Sequence, residues 1–232
     1  MKLTIVIPAH NEQDNITDVI NKMEAILDIP HELVIVNDHS TDSTAALIDE
    51  ASRRYPNIRR VDNPGERGFA NAIKAGFANN SSEAVVPVMA DLCDDLNTVK
   101  EMFRKINEGY DVVCGARYIN GGSRMGGSRI KGFFSCFVGW SMRFLTGIPV
   151  HDVANAFKMY RKSVLDKIDI RSKGFEISME LALKAYYLGF KLTELPTVWK
   201  ERTKGKSSFN MVKLLPGYLR VYTWAIVRRI RG

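Results

Sequence analysis

The sequence predicts an α/β protein: a Rossmann-like, open and mostly parallel sheet flanked by helices. Apolar, β-branched runs recur at Leu3 to Pro8, Leu33 to Val36 and Ala84 to Met89. Continuous runs of this kind mark strands buried on both faces. Segments with helical spacing separate them, which is the βαβ alternation of a parallel sheet. Each run also ends in a polar loop: Ala9-His10-Asn11-Glu12, Asn37-Asp38-His39-Ser40-Thr41-Asp42-Ser43, and Ala90-Asp91-Leu92-Cys93-Asp94-Asp95. Ligands of such sheets bind beyond the carboxyl ends of the strands.

The elements follow in order. Asn11 to Leu27 reads as a helix, with Ile16, Val19, Ile20, Met23, Ile26 and Leu27 at helical spacing. Ser40 to Tyr55 is a second, with Thr41 or Asp42 placed to cap it. Ile58 to Asp62 is a short strand, and Arg67-Gly68 opens a helix over Gly68 to Ala78. Asn97 to Asn107 is a helix, followed by a strand from Asp111 to Ala116. After Tyr118 the pattern changes. Asn120-Gly121-Gly122-Ser123 and Gly126-Gly127-Ser128 read as flexible punctuation. Ile130 to Thr146 is an aromatic-rich helix bearing Lys131 and Arg143. Phe157 to Tyr160 is a strand, Ser163 to Ile168 a short helix, Ile177 to Leu188 a helix and Lys191 to Trp199 a strand. Thr203 to Asn210 is a polar Gly/Ser loop, and Leu214 to Arg229 a final helix with Pro216 near its start. There is no repeat and no obvious linker, so one domain over residues 1–232 is expected.

Charge divides that domain into two halves. Residues 1–115 hold 11 Lys and Arg against 19 Asp and Glu, a net −8; residues 116–232 hold 22 against 7, a net +15. The basic half calls for an anionic partner, and nucleic acid, an anionic membrane surface and a phosphate-bearing acceptor all satisfy it. A solvated basic face is the plain alternative. Cys93, Cys114 and Cys136 have neither zinc-site spacing nor an even count, so a reducing cytosol is expected. Gly132 to Met142, the longest uncharged apolar stretch near the middle, is shorter than the roughly 17–25 residues that span a bilayer. No G-x-G-x-x-G follows the first strand and there is no Walker lysine loop, which disfavours a dinucleotide oxidoreductase or a P-loop phosphotransferase.

Three loops bring Glu12, Asp38, Asp91 and Asp94 to one sheet edge. Carboxylates gathered there suit ribose hydroxyls, a base N–H and a hard cation carrying a diphosphate, the features of a nucleotide-diphosphate-sugar site. Asp38 equally suits a helix N-cap, Glu12 a first-turn charge and Asp94-Asp95 a cap before Asn97. Two carboxylates on one loop, Asp91 and Asp94, suit Mg²⁺ or Mn²⁺. Arg117, Arg202, Lys206 and Ser207 are phosphate-binding candidates, because guanidinium offers a planar fork to phosphate oxygens. Glu176 and Glu180, at i and i+4, either pair with basic neighbours or approach a sugar.

Pro8-Ala9-His10-Asn11-Glu12, Asn37 to Asp42, Arg67-Gly68-Phe69-Ala70, Ala90-Asp91-Leu92, Gly115-Ala116-Arg117-Tyr118, Asp152 to Phe157 and Arg202 to Ser207 together resemble family 2 glycosyltransferases of the GT-A fold. The resemblance is nearest to the dolichyl- or polyprenyl-phosphate mannosyl- and glucosyltransferase branch and covers nearly the whole chain. It implies an inverting, metal-dependent transfer of a hexose from a nucleotide-diphosphate sugar, such as GDP-mannose or a UDP-sugar, to a polyprenyl or dolichyl phosphate. It further implies a donor site of Pro8, Ala9, Asn11, Glu12, Asp38, Arg67, Gly68, Ala90 and Asp91, with Asp38 on the base. Arg117 and Arg202 fall toward the acceptor phosphate or donor diphosphate, and Asp152 orients the acceptor or a basic side chain. The basic half together with the aromatic-rich segment of Phe133, Phe134, Phe137, Trp140 and Phe144 points to a peripheral position at the inner face of the membrane, with a core helix packed on the sheet as the equal alternative; no nucleic acid partner is expected. The chain departs from its relatives in having Met89-Ala90-Asp91 where many have Asp-Ala-Asp, and Ala154-Asn155-Ala156 where many have Thr-Ser-Gly. Transfer to a sugar hydroxyl, with Asp152 as base, and a catalytically weak nucleotide-sugar-binding protein are the other readings.

Overall fold

The computed structural model describes residues 1–204 and 211–231. The chain runs β1 (Leu3–Ala9), α1 (Ile16–Ile26), β2 (His31–Asn37), α2 (Thr44–Arg54), β3 (Ile58–Asp62), α3 (Phe69–Ala78), β4 (Ala84–Pro87), α4 (Thr98–Asn107) and β5 (Val112–Ala116). It continues through β6 (Ser123–Met125), α5 (Arg129–Thr146), β7 (Lys158–Arg161), α6 (Lys162–Leu165), α7 (Ile177–Tyr187), β8 (Leu192–Pro196), β9 (Val198–Lys200) and α8 (Met211–Arg231). Seven strands form one sheet in the order β3-β2-β1-β4-β7-β5-β8, drawing on both the acidic and the basic half of the sequence. Only β7 runs against its neighbours.

Alternation along the strands feeds two cores, one on each face. Ile5 and Ile7 of β1 join Ile16, Ile20 and Met23 of α1 and Ile48 of α2, while Val6, between them, joins α3 and the α7 side. Both faces are dry, which is why β1 reads as a continuous apolar run. Gly76 lets α3 lie close on the sheet, since a Cβ there would fall 2.2 Å from a Val6 methyl.

The order reverses between β1 and β4: β2 and β3 lie on one side, β4 and the later strands on the other. Such a switch point opens a crevice beyond the strand ends. The polar loops after β1, β2 and β4 all issue there.

Two helices start later than their spacing predicts. The helix expected from Asn11 begins at Ile16, and the one expected from Ser40 begins at Thr44. The intervening residues are consumed in lacing the two loops together. Asn11 N–H donates to Ser40 Oγ, Thr41 N–H to Asn11 Oδ1, and Ser43 N–H to Gln13 Oε1. Asp42 still receives the Thr44 N–H at 2.9 Å. The strand expected over Lys191 to Trp199 is two strands. Beyond Pro196 the chain leaves the main sheet, and β9 pairs in parallel with β6. β6 itself lies in the stretch expected to be punctuation.

Candidate active site

Among the described residues, three with a Cβ adopt left-handed backbone: Asn11 (φ 53°), His39 (φ 56°) and Leu92 (φ 58°). One sits in each crevice loop. Asn tolerates this region, but a bulky Leu there is a genuine outlier, and such strain clusters at functional sites.

Asp38 is buried at the end of β2. Its carboxylate accepts from Asn63 Nδ2 at 2.7 Å and from the Gly68 N–H at 3.0 and 3.2 Å. It thereby ties the start of α3 to the crevice and joins both predicted donor segments. Its carbonyl meets His10 Nδ1 at 2.7 Å, and the far ring nitrogen faces Arg67 at 3.4 Å. Pro8 and Ala9 end β1, and the Ala9 carbonyl accepts the Asp38 N–H at 2.8 Å. Nothing in the sequence marked Asn63; it sits in the turn Asp62-Asn63-Pro64-Gly65 that brings β3 back toward Asp38.

Glu12 receives Asn15 Nδ2 at 2.6 Å and the guanidinium of Arg202. Lys206 and Ser207 lie outside the described residues.

The loop after β4 carries the carboxylates expected to hold metal. Asp91 accepts the Cys93 N–H at 3.1 Å. Asp94 is buried, and its Oδ1 has no hydrogen-bond partner. Burial, with the Asp91 and Asp152 charges adding and Arg117 opposing, pushes the Asp94 carboxyl up to about 7. The Cys93 thiol is also pushed up, first by burial and then by the Asp91 charge, so it stays neutral. Among the described residues no three His, Cys, Asp or Glu side chains gather as a ready metal cage. An orphaned buried carboxylate oxygen beside a second carboxylate nevertheless fits Mg²⁺ or Mn²⁺, which take one or two carboxylates and complete their shell with substrate phosphates. Backbone bonds from Asp95 N–H to the Val198 carbonyl and from Lys200 N–H to the Cys93 carbonyl lace this loop to β9.

Arg117 ends the β5 side of the crevice. The fully buried Asp152 accepts its Nε at 2.7 Å, its Nη2 at 2.9 Å and its backbone N–H at 3.0 Å. Burial works against the guanidinium charge, but the Asp152 bonds outweigh it and raise the pKa. Both Asp152 oxygens accept from Arg117 and the carboxylate is fully buried, so it holds a basic side chain in place and presents no surface to an acceptor hydroxyl. Arg117 Nη2 also donates to Ser135 Oγ of α5 at 2.8 Å. Ser135 was hidden in the sequence by its aromatic neighbours.

Glu180 pairs with Lys184 at 2.6 Å and receives the N–H groups of Arg171 and Ser172, so it organises that turn. Glu176 receives the N–H groups of Lys173 and Gly174.

The signature described as Glycosyl transferase family 2 matches residues 4–169. The chain belongs to this family. The glycosyltransferase is 27% identical over 233 residues to a polyprenol monophosphomannose synthase of Mycolicibacterium smegmatis, spanning 97% of this chain and 88% of that one. It is 28% identical over 215 residues to a dolichol-phosphate mannosyltransferase of Pyrococcus furiosus, spanning 90% of this chain but 60% of that longer relative. Among solved structures, glucosyl-3-phosphoglycerate synthase from Mycobacterium tuberculosis with phosphoglyceric acid superposes with a TM-score of 0.73 at 17% identity, over 98% of this chain and 80% of that one. S. aureus TarS 1-349 with UDP-GlcNAc superposes at 0.68 and 19% identity, over 98% and 66%. These likenesses establish the GT-A type of fold for the glycosyltransferase.

Proposed function

We propose that this glycosyltransferase moves a hexose from a nucleotide-diphosphate sugar to a polyprenyl phosphate at a membrane surface. One observation carries the acceptor reading. Helix α5 meets the Arg117 guanidinium through Ser135 on its inner face. Its outer face exposes Ile130, Phe133, Phe137, Trp140 and Phe144. A guanidinium and an apolar surface thus meet at one helix, which matches a ligand with an anionic head and a long apolar tail. The M. smegmatis and P. furiosus relatives, by name, make products of this class.

Asp38, His10 and Gly68 receive the nucleotide base, and Glu12 the ribose. Asp91 and Asp94 would hold Mg²⁺ or Mn²⁺, whose charge offsets that of the departing diphosphate; the Mn²⁺ and UDP bound to the M. tuberculosis neighbour are consistent with this. Arg117, fixed by Asp152, orients the acceptor phosphate. A phosphate oxygen forms the new bond to the anomeric carbon as the bond to the diphosphate breaks on the opposite face. The acceptor is already ionised near neutral pH, so no strong base is required. The burial of Asp152 against Arg117 agrees with that and weighs against a hydroxyl acceptor. The protein attaches to the membrane peripherally; no described helix is long and apolar enough to cross a bilayer.

The test is turnover of UDP- and GDP-hexoses with Mn²⁺ and a polyprenyl phosphate in mixed vesicles. A glycolipid and an equal amount of nucleoside diphosphate are expected. Transfer to soluble sugar hydroxyls but never to the lipid would sink the acceptor assignment, and tight donor binding without nucleotide release would mark a binding protein.

A further inference from the structure

Lys158 begins β7 opposite Cys114 of β5 and is fully buried. Nothing in the proposed chemistry uses it. A desolvated ammonium is costly unless its N–H donors are met, and an apolar side chain of like volume would serve packing better. Burial pushes the pKa of this group down, with Cys114 and Asp152 opposing and Arg117 adding.

The bonds made by Lys158 suggest what the buried amine does. Its Nζ donates to the Val153 carbonyl at 3.0 Å and to the Asn155 carbonyl. Neither belongs to a strand ladder; both lie in the turn that Asp152 opens. The same turn is fastened by Asn155 N–H to the Asp152 carbonyl at 3.2 Å, and by Asn155 Nδ2 to the Gly115 carbonyl at 2.8 Å. The turn therefore closes around the buried Lys158 amine and the Asn155 side chain.

We infer that Lys158 is a positioning residue: by gathering the Val153 and Asn155 carbonyls it fixes the turn from which Asp152 grips Arg117, and so sets the direction of that guanidinium. The kinetic consequence rests on the proposal that Arg117 meets the acceptor phosphate.

The experiment uses the whole chain with ¹⁵N-labelled arginine. In the unaltered protein the Arg117 Nε–H, bonded to Asp152, should exchange slowly with solvent. Lys158→Met keeps the volume and removes the N–H donors. It should speed that exchange and raise the acceptor KM about tenfold, with the donor KM unchanged. In an Arg117→Ala background the same change should add little, because its effect passes through Arg117. If Lys158→Met does not accumulate folded, Lys158→Gln, which retains N–H donors, should give a smaller shift in the same direction. A folded Lys158 variant with unaltered Arg117 exchange overturns the inference. So does one whose loss is equal with and without Arg117. The exchange readout does not depend on the acceptor, so inactivity of the unaltered protein toward polyprenyl phosphate would fall on the proposed function alone.

Discussion

Arg202 reaches across the crevice to Glu12, its Nη2 lying 2.9 and 3.0 Å from the two carboxylate oxygens although 190 residues separate the pair. Both side chains are 15% exposed. Lys204 extends the link to Asp18 and the Asp14 carbonyl. The segment after β9, whose strand is laced to the loop after β4, therefore joins that side of the crevice to the start of α1. A donor that uses the Glu12 carboxylate and offers a diphosphate gives Arg202 a new partner as it takes away the old one.

From this follows a coupled effect of the two residues. Arg202→Lys retains charge but not the planar fork, so it should not restore activity. Loss of a charge-assisted bond costs about 1.5–3 kcal/mol, or one to two decades in kcat/KM for the donor. Arg202→Ala combined with Glu12→Gln should lose less than the product of the single losses, because each single variant strands its partner. Steady-state kinetics at limiting donor measure this cycle. Full activity of Arg202→Ala would reduce the residue to a surface charge.

Asp38 and Asp91 should separate by their dependence on metal. Asp38→Ala removes the acceptor of the Asn63 and Gly68 donors, and nucleotide binding should weaken even with EDTA present. Asp91→Ala should abolish stimulation by Mn²⁺ and leave binding in EDTA largely intact. Calorimetric titration with nucleoside diphosphate, with and without Mn²⁺, distinguishes them. Undiminished Mn²⁺-dependent turnover in Asp91→Ala removes it from the metal site.

The sequence made the strands and the crevice legible because both depend on local pattern. Ile5, Val6 and Ile7 are buried whichever face they meet, so β1 reads directly. Asn11 and His39 were harder: their loops take residues from the starts of α1 and α2, and only the cross-links between the loops explain why the helices begin late. The division of Lys191 to Trp199 depends on a partner, β6, far away in sequence. Ser135, Asn63 and Lys158 carry no local signal at all. Their roles arise from contacts with Arg117, Asp38 and the 152–155 turn that no spacing rule encodes.

Acid should test a second buried carboxylate. Burial pushes the Glu32 carboxyl up, but the hydroxyls of Thr4 and Ser81, with Lys2, hold it below the usual range. Its folded pKa is thus lower than its unfolded one. The stabilisation is fully present above the unfolded pKa, about 4.3, and is lost as pH falls through the folded value. Glu32→Gln should flatten the fall in Tm on going from pH 5 to pH 3. Parallel Tm profiles for the two proteins would show that Glu32 contributes nothing to acid sensitivity.

The outer face of α5 makes the last prediction. Phe133, Phe137, Trp140 and Phe144 form a ladder of ring contacts with centroids 6.0–6.4 Å apart, and Trp140 and Phe144 are 62% and 78% exposed. α8, packed beside α5, exposes Leu215, Leu219 and Ile230 and ends in Arg228, Arg229 and Arg231. Apolar stripes flanked by cations describe a surface that lies in the plane of an anionic bilayer, where each Lys or Arg adds about 1 kcal/mol. Trp140→Glu with Phe144→Glu should cut flotation with anionic vesicles at least tenfold. Tm should change little, because side chains this exposed contribute within about 0.5 kcal/mol to the fold. Met142→Glu, on the buried face of the same helix, should instead unfold the protein. High salt should weaken attachment of the unaltered protein by screening the basic residues, leaving the aromatic contribution. Equal recovery with neutral and anionic vesicles at low and high salt, or undiminished recovery of the double variant, would mean that this face meets something other than an anionic membrane.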